Sequence, residues 1–170
     1  MKFDLQAFHT PSQFRVGGAV ELQDSECLLN LDIRGPVATL DWERPDDRRQ
    51  AFITDLWRGT CFELFFQAED GRYWEWNIAP HGAWACFSFS SYRTKTGDLR
   101  DIEHPRLQIQ KVRDRWQIAI KLCPTLPVKL CHRLGISSVL RHGTTTEYFA
   151  LSHPSSQPDF HDPRSFVNLF

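Results

Sequence analysis

The chain has 170 residues, a formal charge of −1 at neutral pH and 41% hydrophobic residues. That length suits one domain spanning 1–170, whose core buries roughly two-thirds of the unfolded surface. Charges of both signs are interspersed, which excludes the basic field that nucleic acid or an anionic membrane surface would attract, and no run is long and apolar enough to span a bilayer.

The first residues, Met1 to Pro11, hold no apolar stretch of signal-peptide length, and five cysteines without a regular framework fit reduced thiols better than disulfides. A cytoplasmic setting is therefore expected. Three strands are predicted early: Phe14 to Leu22, Cys27 to Arg34, and Pro36 to Trp42. The Gly17-Gly18 pair marks a bulge or a close backbone approach. In the second run Leu29, Leu31 and Ile33 face one way and Asn30, Asp32 and Arg34 the other, the pattern of a half-buried antiparallel strand. Glu43 to Gln50 reads as a charged loop; Asp46 and Asp47 are flanked by Arg44, Arg48 and Arg49, so no metal is assigned there.

Between Trp57 and Arg93 three strand-like runs are joined by turns at Asp70-Gly71 and Pro80-His81-Gly82, which predicts a meander. Alternation sorts the runs into two faces. Phe62, Leu64, Phe66, Trp74, Trp76, Ile78, Phe87 and Phe89 make an apolar face that must be buried. Cys61, Glu63, Phe65, Tyr73, Glu75, Asn77, Trp84, Cys86, Ser88, Ser90 and Tyr92 make a mixed face. Carboxylates and an amide beside aromatic rings suit a ligand that is polar at its edges and apolar on its flat sides, as a sugar ring is. The alternative is a face covered by loops, with the acids bonded to backbone.

Downstream, Thr94 to Pro105 reads as a polar surface loop, Leu107 to Val112 and Trp116 to Leu122 as strands, and Cys123 to Leu134 as a proline-broken loop or short helix. Gly135 to Arg141 and Thr145 to Leu151 are the last two strands. The end carries Asp159-Phe160-His161-Asp162, where a carboxylate–imidazole bond either fixes the loop, the reading preferred here, or brings His161 to a site. Short strands without a long helical period give an all-β fold, a two-sheet antiparallel sandwich of jelly-roll or immunoglobulin-like outline with about ten strands.

Trp57 with the Phe-Glu-Leu-Phe-Phe run, the Tyr-Trp-Glu-Trp-Asn-Ile-Ala-Pro-His-Gly-Ala-Trp hairpin, Ser-Tyr-Arg and the final Pro-Asp-Phe-His-Asp-Pro-Arg-Ser-Phe together resemble the DOMON-like superfamily. Within it the resemblance is to family 9 carbohydrate-binding modules and their free-standing bacterial relatives. It implies non-catalytic binding of a carbohydrate, with Trp57 as the stacking platform and Glu63 as a hydroxyl acceptor. Glu75, Asn77, Trp84, Tyr92 and Arg93 complete the expected cleft. The chain departs from the modules' pair of sandwiching tryptophans, because Phe160 or Phe166 stands where a C-terminal tryptophan would. The modules also often carry structural calcium, and other DOMON-like proteins hold haem b. The only methionine is Met1, so haem would fall to a pair among His81, His104, His142, His153 and His161. A third possibility is an aromatic docking face for a protein partner. No nucleophile elbow, phosphate loop or zinc spacing is present, and no enzymatic activity is expected.

Overall fold

The computed structural model describes residues 1–23, 26–42, 50–123 and 131–169. The acidic loop weighed for calcium at 43–49 and residues 124–130 of the loop or short helix expected from Cys123 to Leu134 lie outside the described residues, and the end of that stretch, from Cys131, is strand instead.

Twelve strands are present among the described residues: β1 Lys2–Ala7, β2 Arg15–Gln23, β3 Glu26–Arg34, β4 Cys61–Ala68, β5 Tyr73–Ile78, β6 Trp84–Ser91, β7 Thr94–Asp98, β8 Arg106–Val112, β9 Arg115–Leu122, β10 Cys131–His142, β11 Thr145–Ala150 and β12 Val167–Asn168. The helical elements described are single 3₁₀ turns, at Val37–Thr39, Leu56–Arg58 and Pro163–Ser165. None is long and apolar enough to cross a membrane.

All strand pairs are antiparallel and run in the order β7-β6-β5-β4-β10-β11-β1-β2-β3-β9-β8, with β12 also on β10. Strand β1 is the corner. Its residues Lys2 to Leu5 pair with β2, while Gln6 and Ala7 pair with β11. The ribbon therefore folds into two layers and stays open at β7 and β8. Between the layers, Leu29, Leu31, Ile33, Ile118 and Ile120 from one side meet Phe62, Leu64, Phe66, Trp76, Ile78 and Ile136 from the other. This is the all-β sandwich expected from alternation.

Most expected strands are found within a residue or two of their predicted ends, and three local expectations are corrected. Pro36 to Trp42 is not a strand: Pro36 has no N–H to give a ladder, and its carbonyl takes both the Thr39 amide and the Thr39 hydroxyl, closing a 3₁₀ turn. Residues 94–98 are not loop but the edge strand β7, held to β6 by backbone pairs such as Phe87 with Asp98. Strand β1 was not anticipated, although Leu5 packs into the core from it.

Gly17 and Gly18 form no bulge, since β2 keeps a continuous register with β3. They mark a close approach instead. A Cβ at Gly18 would sit 1.9 Å from the carbonyl oxygen of Asn30. Gly18→Ala therefore forces β2 and β3 apart and is expected to cost about 1–3 kcal/mol, read as a lower urea midpoint at unchanged slope.

Candidate functional site

The register of the β4-β5-β6 meander decides what faces outward. Phe62 pairs with Ile78 and Leu64 with Trp76, while Glu63 pairs with Asn77 and Phe65 with Glu75. Across the next hairpin Ile78 pairs with Trp84, Trp76 with Cys86, and Glu75 with Phe87. Opposed residues share a face, so β6 is turned over relative to expectation. Trp84 and Cys86 point into the core, and Phe87 and Phe89 stand beside Glu75 on the outer face. Trp84 is corrected as a site residue: it is 4% exposed, stacks on Trp76 at 5.7 Å, and donates its indole N–H to the Gln50 carbonyl.

Over this outer face the turn at 55–58, strands β7, β10 and β11, and the segment 157–161 build walls around a cleft of about 740 Å³. That volume is typical of a small-molecule site. Glu63 and Glu75 lie on its floor, 3% and 6% exposed. Phe87, Phe89, Tyr148 and Phe160 give apolar walls, and Trp57, Arg93 and Lys95 stand at the mouth. Trp57 is 47% exposed, with the Arg58 guanidinium over its ring at 5.1 Å. A second hollow, of about 480 Å³, lies beyond the same turn beside Arg58, Thr60, His81 and Arg141.

Four of the seven expected residues thus meet in one cleft: Trp57, Glu63, Glu75 and Arg93. Asn77 is corrected to a supporting position. It is 1% exposed, donates Nδ2 to Glu75 Oε1 at 2.6 Å, and receives the Cys61 thiol on Oδ1 at 3.5 Å. Tyr92 is corrected to the rim, where its hydroxyl donates to Asp159. Arg93 bonds the same carboxylate at 2.8 Å, tying the β6-β7 turn to the C-terminal segment.

His161 comes to the cleft, and the expected Asp159–imidazole bond is replaced by one from the His161 backbone N–H to Asp159. The imidazole Nδ1 lies 2.8 Å from the Tyr73 hydroxyl, and that hydroxyl accepts the Arg93 amide at 3.0 Å. The other ring nitrogen, Nε2, lies 3.6 Å from Glu75 Oε2. Burial, reinforced by Arg93, holds His161 down to about 4, so the ring is neutral at physiological pH. Of the other histidines weighed for haem, His142 faces Glu147, His153 bonds the Gln6 carbonyl, and His81 sits in the β5-β6 turn. Among the described residues no group of three or more His, Cys, Asp and Glu is placed to hold a metal ion.

The two acids differ. Burial pushes Glu63 well above the usual carboxylate range, the Glu75 charge adds to this, and the Ser137 hydrogen bond only partly opposes it. Burial also raises Glu75, to about 6, against the Asn77 hydrogen bond and the Lys95 and Arg93 charges. Both acids thus hold their protons more tightly than an exposed carboxyl, Glu63 most of all, which suits one of the pair to give a hydrogen bond and the other to accept one.

Sequence reasoning missed Phe87 and Phe89, because one reversed hairpin parity put them in the core. Lys95 and Tyr148 were missed because neither carries a motif.

No family model and no curated protein sequence matches this chain. Solved structures do. A candidate carbohydrate-binding protein from Bacteroides uniformis superposes with a TM-score of 0.72 over 99% of this chain and 84% of its own, at 12% identity. A family 9 carbohydrate-binding module from Caldicellulosiruptor kristjanssonii in complex with glucose gives 0.56 over 94% and 77%, at 10% identity. A family 9 module of the same organism with cellotriose gives 0.54 over 89% and 72%, at 8% identity. The fold is that of a family 9 carbohydrate-binding module. The sandwich and the resemblance read from the meander are both found in the structure.

The raised acids make a pH signature. A carboxyl whose folded value exceeds its unfolded one destabilises the fold as pH rises from the unfolded value towards the folded one. For Glu75 that window runs from 4.5 to about 6. Glu75→Gln should therefore gain about 2 kcal/mol on the wild type across it, with no further gain from this group above it. Urea unfolding of both proteins at steps through the window gives the difference directly.

Proposed function

We propose that the chain binds a carbohydrate non-catalytically in this cleft. The reading rests on one observation above the others: a CBM9-like sandwich carries, on the outside of its β4-β5-β6 sheet, a cleft with a buried donor–acceptor floor and aromatic walls. A pyranose needs both. Its hydroxyls give and take hydrogen bonds at the ring edge, and its C–H faces are apolar. Two of the structural neighbours hold glucose and cellotriose, which supports this ligand class.

In this reading Trp57 is the platform at the mouth, because its indole is half exposed, with the Arg58 guanidinium over its ring. Glu75 accepts a hydroxyl hydrogen and Glu63 donates one. Arg93 is already fixed by Asp159, so its remaining guanidinium hydrogens reach a ligand oxygen at little entropic cost. Asn77, Ser137 and His161 hold the two acids from behind and beside.

A thermal-shift screen of mono- and disaccharides, followed by titration calorimetry, tests the reading. The wild type should bind at least one sugar class. Trp57→Ala should lose roughly tenfold in affinity while its melting temperature without sugar stays unchanged. A wild type that binds no glycan overturns the proposal.

A further inference from the structure

The floor of the cleft leaves part of each carboxyl unused. Ser137 Oγ donates to Glu63 Oε2 and Asn77 Nδ2 to Glu75 Oε1. Among the described residues no hydrogen bond reaches Glu63 Oε1 or Glu75 Oε2, and neither oxygen is sealed from solvent. These two atoms are what a ligand meets at the bottom of the cleft.

No buried cation balances them. His161 is neutral, and its Nε2 lies at 3.6 Å, too far for a hydrogen bond to Glu75. Arg93 and Lys95 stand at the mouth, about half exposed, and each is already paired, Arg93 with Asp159 and Lys95 with Asp98. Of the remaining ionisable groups around the pair, Tyr73, Cys61 and Cys86 on the sheet, Tyr148 from β11 and Asp55 at the start of the 3₁₀ turn carry no positive charge, and His9 stands exposed at the edge of the cleft. Two acids taken out of water side by side raise each other's energy, and a cation set between them removes that repulsion.

The walls suit the same charge. Lys95 Nζ lies 3.9 Å from the centroid of the Phe87 ring, so this aromatic wall already receives an ammonium on its face. A ligand ammonium has three donors to divide between the free carboxyl oxygens, where a hydroxyl has one.

We propose that the cleft selects amino sugars, with the protonated amine seated between Glu63 Oε1 and Glu75 Oε2 and the pyranose ring lying along Phe89 towards Trp57. This rests on the carbohydrate reading above and names the ligand class within it. An ammonium favours the doubly ionised pair, so it displaces the proton that Glu63 otherwise keeps. Binding then releases protons, and affinity climbs as pH rises through the folded value of Glu75, about 6, and on above it for as long as Glu63 keeps its proton. A neutral sugar, which uses the protonated Glu63 as a donor, does neither.

Titration calorimetry of the full chain with glucosamine, glucose and N-acetylglucosamine, run in two buffers of different ionisation enthalpy, separates these cases. Glucosamine should bind about tenfold or more tighter than glucose and release protons, and N-acetylglucosamine, which has lost the charge, should bind no better than glucose. Glu63→Gln keeps the Ser137 contact and should reduce the preference for glucosamine to within about threefold. Glucose binding as tightly as glucosamine overturns the amine proposal and leaves the carbohydrate reading standing. If none of the three binds, the amine proposal fails, and the wider screen of mono- and disaccharides decides the carbohydrate reading by itself. Should Glu63→Gln not fold, the comparison of the three sugars on the unaltered protein still decides.

Discussion

Ile78 pairs with Trp84 across the turn formed by residues 79–83, and that pairing determines which side of the sheet each side chain of β6 faces. It turns Trp84 inward against Trp76 and leaves Phe87 and Phe89 beside the two acids. Turned the other way, the core would lose a stacked indole pair and the cleft would be lined by serine, cysteine and tryptophan. The parity of one hairpin thus sets both the packing of the sandwich and the chemistry of its outer face.

Alternation was enough to read the sandwich, because β3 and β9 each hide one face more than the other, and β4 and β5, though buried on both faces, alternate large apolar side chains with acids and an amide. It was not enough for β6, whose run Trp84-Ala-Cys-Phe-Ser-Phe carries apolar residues at both parities, since both faces are covered there. Strand β7 left no signal either: Thr-Lys-Thr-Gly-Asp is polar throughout, as an exposed edge strand can be when backbone pairs and hydroxyl contacts such as Ser88 with Thr96 hold it in place. At the site, Glu63 and Glu75 were legible as acids on a face too aromatic for solvent. The link from Arg93 through Tyr73 to His161 was not, because it joins residues 88 apart in the chain, and no spacing rule spans that distance.

The acids stay buried because the segment after β11 is fastened over them. Asp162 accepts from the Arg164 backbone and guanidinium and from Ser155, and these bonds hold it down to about 2. Asp159 gathers Tyr92, Arg93 and the His161 amide. Phe166 then stacks on Phe65, in space that only a glycine at 135 leaves free: a Cβ there would lie 2.5 Å from the Phe166 ring. Two aspartates and one aromatic ring thus keep water from most of the cleft floor.

The order of these parts along the chain has a consequence for how the cleft is completed. The floor comes from residues 61–91, while the wall that covers it comes from residues 157–166, beyond the last long strand. Until that segment docks, the two glutamates lack part of the cover that buries them, and its docking adds to the rise in their proton affinity. The complete cleft thus needs both ends of a long stretch of chain, its floor from one and its cover from the other.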